Sequence, residues 1–322
     1  MKILIYNSGG GLGDSIQLFN LISSLNNKFE SKNIYYLSSH PNHFNNALKD
    51  YNIHLRDLKT NILYFGFRWW HFLISKKKIL KDNLVDEFDL IIDLQSKIRN
   101  TLILKQFPHK NFYSPTFNFR FCNVKKDYLS TKYKNENILK NIEKLLDIKI
   151  PYKKYNLNLI ENKFFDEAKK LLPEDNYIGF SITQGNKYRK KSWSLDKFIN
   201  LAKRISKKNK KIVFFVEKKD QEIILRIKNE INEAIFPEAM SSLSGPTLVS
   251  VLSQRLDKAI SIDNGIMHMM SLSEIPMVVL FGPTNSKKFA PKFKNVEILD
   301  SKMIYNSDDI QKITEEDVLN LL

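Results

Sequence analysis

Residues 261–284, SIDNGIMHMMSLSEIPMVVLFGPT, form the stretch that decides the fold of this chain. They predict a buried strand end, a tight turn at 263–265, a helix, a second strand at 276–281 and a second tight turn at 282–284. In open α/β sheets, ligands bind beyond the carboxyl ends of strands, where such turns cluster. Small residues let a ligand approach the backbone, and the start of the following helix offers free N–H groups to an anion. The stretch indicates a phosphate-bearing or sugar-bearing ligand, although a purely structural strand–helix–strand unit has the same pattern.

The same alternation of strands and helices extends over the rest of the chain. Alternating elements predict parallel sheets with right-handed crossovers, and near-continuous apolar runs such as FDLIIDL are typical of buried parallel strands. The predicted strands are 2–6, 33–38, 88–94, 177–182, 211–216, 258–262 and 276–281, and the predicted helices begin near 14, 161, 195, 220 and 266.

The length of 322 residues suits two domains better than one. The segment 147–160 contains Pro151 and few helix formers, so we place the linker there. The prediction is an N-terminal domain over 1–155 and a C-terminal domain over 156–322. The tail predicts a final helix at 314–322 with Thr314 as its N-cap, and leaves open a return of this helix toward the N-terminal domain.

The composition indicates an acidic partner. The formal net charge is +16, from 51 Lys and Arg against 35 Asp and Glu residues. This excess fits a nucleotide or an anionic lipid head group, or simply solvated basic faces. The common signatures of nucleic-acid binding are missing, so no nucleic-acid partner is expected. Cys122 is the single cysteine, which excludes an internal disulfide and fits a reducing compartment.

No apolar run is long enough for a transmembrane helix, and the opening MKILIYNSGG predicts a first strand rather than a signal peptide. Residues 65–81, FGFRWWHFLISKKKILK, place two tryptophans and three phenylalanines beside a lysine cluster. This combination suits a membrane interface, although a core helix with one solvent-exposed face would have the same sequence pattern.

Only ten residues are glycine, and most of them fall in predicted strand-end loops, where the backbone must turn sharply or meet a ligand. The first such loop, 7–13, matches neither the dinucleotide fingerprint nor the P-loop. Asp14 follows this loop directly. It is either the N-cap of the next helix or a general base at the end of the first strand.

The loop 183–193, TQGNKYRKKSW, carries four cations within five residues between a strand and a helix. It is either a diphosphate site that neutralises a leaving nucleotide or a solvated basic loop. His268 lies three residues after Gly265, and its position fits either packing or catalysis.

Four places in the chain resemble the glycosyltransferase family that includes the ADP-heptose:lipopolysaccharide heptosyltransferases. Gly13-Asp14 resembles the family's opening Gly-Asp, and 88–100 (FDLIIDLQSKIRN) resembles its YDxxIDxQG segment. Residues 191–205 (KSWSLDKFINLAKRI) are similar to its K-R-W-P segment. The block 263–284 resembles D-T-G-x-x-H-x-A followed by P-x-V-x-L-F-G-P-T, and is the most specific of the four.

This resemblance implies a GT-B fold, in which two Rossmann-like domains with parallel sheets face each other across a cleft. It implies inverting, metal-independent transfer from a nucleotide-diphosphate sugar without a cofactor. Asp14 would be the general base, Lys191 would bind the diphosphate, and Asp263 would hold sugar hydroxyls and phosphate with the backbone that follows it. We expect donor binding in the C-terminal domain by Thr183, Lys191, Glu222, Asp263, Asn264, Gly265 and His268, and acceptor binding in the N-terminal domain by Gly13, Gln95, Lys97 and Arg99.

The chain departs from the family at three places: Asn264 replaces the usual Thr or Ser, Ser96 replaces the usual Gly, and 17–20 lacks the usual Pro. The predicted function is transfer of a heptose from ADP-heptose to a lipopolysaccharide core or a related anionic glycolipid, in the cytoplasm at the inner face of the inner membrane. The alternatives are a GT-B transferase for another sugar and glycan, and a non-catalytic nucleotide-binding or membrane scaffold. The presence of Asp14 and Lys191 argues against the scaffold.

Overall fold

The computed structural model describes residues 1–7, 11–38, 42–58, 67–73, 86–123, 138–184 and 190–322. The chain divides into two compact units, Met1–Asn156 and Leu157–Leu322. Within the described residues, each unit contains a five-stranded sheet whose neighbouring strands all run parallel. Helices alternate with the strands along the chain, so the predicted α/β class is confirmed.

The first unit is doubly wound around its first strand. Its elements are β1 (Ile3–Asn7), α1 (Leu12–Ile16), α2 (Phe19–Lys28), β2 (Ile34–Ser38), β3 (Arg56–Asp57), β4 (Phe88–Asp93), α3 (Ile98–Leu104), β5 (His109–Tyr113) and α4 (Ile138–Leu146). The strand order is β3-β2-β1-β4-β5. The chain therefore reverses its direction across the sheet between β1 and β4, and the loops after these two strands diverge to leave a crevice.

The core of the first unit is rich in aromatic rings. β1 is buried along its whole length, as its apolar run predicts for a parallel strand covered on both faces. Tyr6 on β1 stacks on Phe67 with ring centroids 5.2 Å apart. Phe19 on α2 meets Tyr51 edge-on at 5.0 Å and Tyr155 at 4.9 Å. These contacts fix β1, which leads into the loop before Asp14, and α2, which follows the helix that carries Asp14.

The second unit repeats the doubly wound arrangement. Its elements are α5 (Asn162–Leu171), β6 (Tyr177–Ser181), α6 (Leu195–Ser206), β7 (Lys211–Phe215), α7 (Gln221–Glu230), α8 (Pro237–Met240), α9 (Pro246–Ser253), β8 (Leu256–Ile262), α10 (Gly265–Ser271), β9 (Met277–Phe281), α11 (Ser286–Phe289), β10 (Val296–Asp300), α12 (Ser301–Tyr305) and α13 (Glu315–Leu319). The strand order is β10-β9-β8-β6-β7, so the reversal falls between β6 and β8.

Beyond β7, the second sheet is extended by one residue. Ile235 forms a parallel bridge with Val213. Its N–H donates to the carbonyl of Ile212 at 2.9 Å, and its own carbonyl accepts from Phe214 N–H at 2.8 Å. The ring of Phe236 then stacks on Phe214 with centroids 5.8 Å apart. The backbone that enters α8 is therefore held against the edge of the sheet.

The C-terminal helix α13 belongs to the second unit. Thr314 Oγ1 accepts from the N–H of Asp317 at 3.1 Å, and Asp317 Oδ2 accepts from the N–H of Thr314 at 2.7 Å, so the predicted cap is confirmed. Val318 is fully buried in the core of the second unit, and Arg204 on α6 pairs with Glu316 at 2.6 Å. Where the sequence left open a return toward the N-terminal domain, these contacts pack α13 on α6.

The aromatic and basic segment 65–81 is described only over residues 67–73. Phe67 is buried, whereas the side chains of Trp69, Trp70, Phe72 and Leu73 are between 47% and 86% exposed. These four side chains therefore do not belong to the core. Among the described residues, no helix is both long and apolar enough to cross a membrane.

Candidate active site

Lys191 and Asp263 form an ion pair at the carboxyl edge of the second sheet. Lys191 lies on the loop after β6, and Asp263 is the first residue after β8. The reversal of strand order falls between these two strands, which is where open α/β sheets bind ligands. The side chains are 14% and 8% exposed, so the pair is largely withdrawn from water. The structure thus brings together two of the predicted donor-binding residues, one cation and one carboxylate.

Asn264 uses its whole side-chain amide to join the two loops at this edge. Nδ2 donates to Ser181 Oγ at 2.7 Å and to the carbonyl of Thr183 at 2.8 Å. Oδ1 accepts from the N–H of Met267 at 2.8 Å and so caps α10. A Thr or Ser hydroxyl has a single donor hydrogen and could not make both donations. These three hydrogen bonds explain why an amide side chain stands at position 264. Because they occupy the side chain, Asn264 is left with its backbone to contact a ligand.

Two glycines at this edge serve different purposes. Among the described residues, a Cβ added to Gly265 would meet no atom within 4 Å, so none of them closes off the first turn of α10 on that side. A Cβ added to Gly282 would lie 2.8 Å from the Cβ of Ile310 and 3.1 Å from the carbonyl oxygen of Asp308. Packing against the C-terminal segment therefore requires glycine at 282, whereas a ligand can approach the backbone at 265.

The loop that carries Lys191 is anchored on both sides. The N–H of Lys191 donates to Gln184 Oε1 at 2.9 Å. Trp193 is 2% exposed, and its indole N–H donates to the carbonyl of Ile313 at 2.9 Å. The sequence marked Trp193 as part of a motif only, and the structure shows that it fastens the loop. Residues 185–189, which include two of the four predicted cations, lie outside the described residues.

The remaining predicted donor residues lie at different depths. His268 is 6% exposed on α10, and Thr183 is half-buried on the loop after β6. Glu222 is exposed in the first turn of α7. Glu217 stands nearer to the end of β7 than Glu222 does, and the sequence analysis did not select it. By its position along the chain, Glu217 is therefore a better candidate than Glu222 for the acidic residue expected at the end of β7.

In the first unit, Asp14 lies in the first turn of α1. The N-cap position is occupied by Gly11, which has no side chain to accept a capping hydrogen bond, so the interpretation of Asp14 as the N-cap is wrong. The helix begins two residues earlier than expected because Leu12 and Gly13 already have helical conformation. The Asp14 side chain is half-buried, and a Cβ added to Gly11 would lie 3.4 Å from its Oδ2.

Gln95 belongs to a buried polar network at the reversal point of the first sheet. Gln95 Nε2 donates to Asn7 Oδ1 at 3.1 Å, which joins the ends of β4 and β1. The N–H of Gln95 donates to Asp93 Oδ1 at 2.9 Å. Asp93 Oδ2 accepts from Thr101 Oγ1 at 2.6 Å and from Ser114 Oγ at 2.8 Å. Burial raises the pKa of Asp93 to about 6, although these hydrogen bonds favour the carboxylate.

Two predicted acceptor cations flank this network at the start of α3. Lys97 is the exposed N-cap residue of α3. Arg99 is half-buried, and within the described residues its Nε is enclosed without a hydrogen-bond partner. Burial lowers the pKa of His71, and the charges of Arg68 and Arg99 lower it further. The two cations Arg68 and Arg99 therefore lie near a His71 side chain that favours its neutral form, and only Arg99 of the three was predicted from the sequence.

Two doubly wound parallel-sheet units in one chain define the GT-B class of fold. The sequence of residues 78–319 matches glycosyltransferase family 9 (heptosyltransferase). The match covers most of the chain, so the chain belongs to this family and is a glycosyltransferase. The predicted resemblance is confirmed. Among proteins with curated descriptions, no sequence match was found.

Solved structures of low sequence identity share the fold over nearly the whole chain. A family 9 glycosyltransferase from Veillonella parvula aligns with a TM-score of 0.67 at 18% identity, covering 99% of this chain and 95% of that one. The E. coli ADP-heptose lipopolysaccharide heptosyltransferase II aligns with a TM-score of 0.63 at 15% identity, covering 100% and 97%. E. coli heptosyltransferase WaaC, solved with ADP-2-deoxy-2-fluoro heptose, aligns with a TM-score of 0.64 at 14% identity, covering 99% and 98%.

Proposed function

We propose that this chain transfers a heptose from ADP-heptose to a lipopolysaccharide core or a related anionic glycolipid. Transfer inverts the anomeric carbon and needs no metal ion. The family supports sugar transfer, and the bound ADP-heptose analogue of one structural neighbour supports the donor. The observation that carries the proposal is the Lys191–Asp263 pair beside the open backbone at Gly265.

The second unit would bind the donor. The ammonium of Lys191 would pair with the diphosphate, whose negative charge grows as the sugar leaves. N–H groups at the start of α10 would add hydrogen bonds to the same group. Asp263 would then accept hydroxyl hydrogens of the sugar, because a carboxylate is purely an acceptor. In the absence of donor, Asp263 holds the Lys191 side chain at the strand ends where the diphosphate is needed.

The first unit would bind the acceptor and supply the base. Asp14 would take the proton from an acceptor hydroxyl as the oxygen attacks the anomeric carbon. The new carbon–oxygen bond forms on the face opposite the breaking bond to the diphosphate, so the configuration inverts. Correctly placed base help contributes about 10²- to 10⁴-fold in rate. Gln95, which is held at the reversal point by Asn7 and Asp93, would orient the acceptor beside Asp14.

Cations in the first unit suit an acidic acceptor. Within the described residues, the enclosed Nε of Arg99 has no hydrogen-bond partner, and Lys97 is exposed at the start of the same helix. A phosphate or sugar carboxylate could accept from a guanidinium in the paired geometry that Arg favours. The formal net charge of +16 would also attract an acidic acceptor over longer distances.

The proposal includes peripheral contact with the inner membrane, and the exposed aromatic side chains of the first unit support it. Trp69, Trp70 and Phe72 are exposed, and the sequence continues into Lys76, Lys77 and Lys78. Tryptophan at the head-group level and lysine toward anionic lipid are the two ingredients of interfacial binding. The acceptor glycolipid would lie in the same membrane surface that these side chains contact.

Donor binding measured by calorimetry without added metal tests this proposal. ADP and ADP-heptose are expected to bind, and UDP-glucose and GDP-mannose are expected to bind much more weakly. Preference for UDP-glucose or GDP-mannose would overturn the heptose assignment in favour of a transferase for another sugar. Absence of binding to all four would favour the non-catalytic scaffold.

A further inference from the structure

A second carboxyl group at the carboxyl edge of the second sheet has no role in the transfer chemistry. Glu238 lies on α8, three residues after the bridge that Ile235 makes to β7. It is only 8% exposed, and within the described residues its Oε2 is enclosed without a hydrogen-bond partner. Buried polar atoms in native proteins almost always have partners, so an isolated one calls for an explanation.

Burial raises the pKa of Glu238 to about 7, and the nearby negative charge of Glu217 raises it as well. Glu217 lies two residues after the end of β7, and Glu238 lies three residues after Ile235, which pairs beside β7, so both carboxyls lie at one edge of the sheet. Near neutral pH, Glu238 is therefore protonated to a large extent. A protonated carboxyl offers one O–H donor and one carbonyl acceptor side by side.

The distance along the sheet edge from Asp263 to Glu238 is similar to the length of a nucleotide. Asp263 follows β8, and the strands then run in the order β8, β6, β7 and the bridging residue Ile235. Three spacings of about 4.8 Å separate the first strand from the last, or about 14 Å in total. An extended nucleoside diphosphate spans a distance of this order from its terminal phosphate to its base. With the diphosphate at Lys191, the base reaches the neighbourhood of Glu238.

We propose that Glu238 recognises the base of the donor nucleotide and that this base is adenine. The proposal rests on the proposed function, which places the diphosphate at Lys191. The amino group of adenine donates one hydrogen bond, and the ring nitrogen beside it accepts one, so adenine is complementary to a protonated carboxyl. An ionised carboxylate would instead suit the two adjacent donors of guanine.

Rigid support makes such recognition feasible. Phe236 stacks on Phe214, which stacks on Phe180 with centroids 5.0 Å apart, so the segment before Glu238 is fixed to the core. On the other side, Ser241 Oγ donates to Glu167 Oε1 at 2.6 Å and ties the end of α8 to α5. A side chain held in this way loses little freedom when a base docks against it.

The proposal is tested by calorimetric titration of ADP into wild type and Glu238→Leu. Leucine keeps the buried volume and removes the unpartnered oxygen, so its melting temperature is expected to equal or exceed that of wild type. ADP affinity is expected to fall about tenfold, since two ordinary hydrogen bonds are lost. Glu233→Gln, at an exposed position before the bridge, is the matched control and is expected to bind ADP like wild type.

Inorganic pyrophosphate separates the two ends of the site. Glu238→Leu is expected to bind pyrophosphate like wild type, whereas Lys191→Ala is expected to bind it weakly. If wild type binds ADP and Glu238→Leu binds it equally well, the role of Glu238 is refuted and the proposed function stands. If wild type does not bind ADP, both the donor assignment and the role of Glu238 fail.

A pH series adds a readout that a structural role would not move. The charged groups on the surrounding elements are Glu217 after β7, Lys228 on α7 and Glu167 on α5. Because adenine needs the protonated form, ADP binding by wild type is expected to weaken as pH rises through about 7. Glu238→Gln keeps a donor and an acceptor without titrating. It is expected to bind ADP within about threefold of wild type at pH 6 and to lose less affinity at higher pH; identical pH profiles would overturn the proposal.

Discussion

The indole N–H of Trp193 donates to the carbonyl of Ile313 at 2.9 Å, and this bond fastens the Lys191 loop to the C-terminal segment of the second unit. Lys197 Nζ donates to the same carbonyl at 2.9 Å. The Trp193 ring also packs edge-on against Phe198 with centroids 4.9 Å apart. The position of the Lys191 loop therefore depends on a residue that lies 120 positions after Trp193 in the chain.

Trp193→Phe is expected to keep most of the ring burial and to lose the hydrogen bond to Ile313. The free energy of unfolding should fall by about 1 kcal/mol from the bond, plus a smaller amount for the reduced volume. Because Lys197 still donates to the carbonyl, the loss should stay near that figure. Denaturant unfolding measures the change. A donor affinity and a stability both equal to those of wild type would show that the tie is unimportant.

Lys191→Ala is expected to weaken ADP binding about 10- to 150-fold, because hydrogen bonds to charged groups are worth about 1.5–3 kcal/mol. Lys190→Asn is the matched control. Lys190 is exposed and has a φ of 47°, a conformation that asparagine accepts, so the control removes a neighbouring charge without strain. Equal losses in the two variants would refute a specific role for Lys191.

The same substitution is expected to have a cost in stability that can be separated from binding. Lys191→Ala leaves the nearly buried Asp263 carboxylate without its partner, which costs about 3–5 kcal/mol in comparable buried pairs. Adding Asp263→Asn should recover much of the stability but none of the ADP affinity. Recovery of both would indicate that the pair is structural.

Asp14→Asn is expected to reduce the turnover of sugar transfer by about 10²- to 10⁴-fold, because the amide cannot take the proton of the acceptor hydroxyl. Binding of ADP should stay within about twofold of wild type, since Asp14 lies in the other unit from the donor residues. Glu30→Gln, an exposed carboxyl at the end of the loop after α2, controls for loss of charge alone. Normal turnover by Asp14→Asn would remove the base from the mechanism.

Asp93 gives the first unit a predictable pH dependence. Its pKa is about 6 in the folded chain against an ordinary value of 3.8, so the folded state holds the proton more tightly than the unfolded state. The contribution to stability is therefore complete below about pH 4 and is lost as pH rises through about 6. The full change amounts to about 3 kcal/mol. Asn at this position does not titrate.

The stability advantage of wild type over Asp93→Asn should accordingly shrink by about 2.4 kcal/mol between pH 4 and pH 7, because the unfolded Asp93 is already partly ionised at pH 4. Urea unfolding of both proteins across this range measures the difference, and other titrating groups cancel in the comparison. An advantage that stays constant or grows with pH would show that Asp93 is ionised throughout.

Local patterns were sufficient to predict seven of the ten described strands and the turn at 263–265, whereas β3, β5 and β10 were not predicted. The strands are short apolar runs between turn residues, and Thr314 is followed by three acids, so these signals are contained in a few neighbouring positions. The position of Asp14 within its helix was harder to predict, because no capping residue in the sequence marks a helix that begins at Leu12 after a glycine. The role of Asn264 depends on contacts with Ser181 and Thr183, more than 80 positions away.

Glu238 shows most clearly what the sequence could not reveal. The surrounding letters, FPEAMSS, read as a polar loop, and glutamate is rarely buried without a partner. Its burial follows from the pairing of Ile235 with Val213 and from the stacking of Phe236 on Phe214. Both depend on the register of the sheet edge. A local pattern carries no information about that register.

Transfer of heptose from ADP-heptose with inversion can be tested by analysis of the reaction product. The purified chain is incubated with ADP-heptose and heptose-deficient lipopolysaccharide in the presence of a chelator, and the acceptor is examined by mass spectrometry and NMR. We expect an acceptor that is heavier by one heptose, and this heptose should have the anomeric configuration opposite to that of the donor. An unchanged acceptor, or a product with retained configuration, would contradict it.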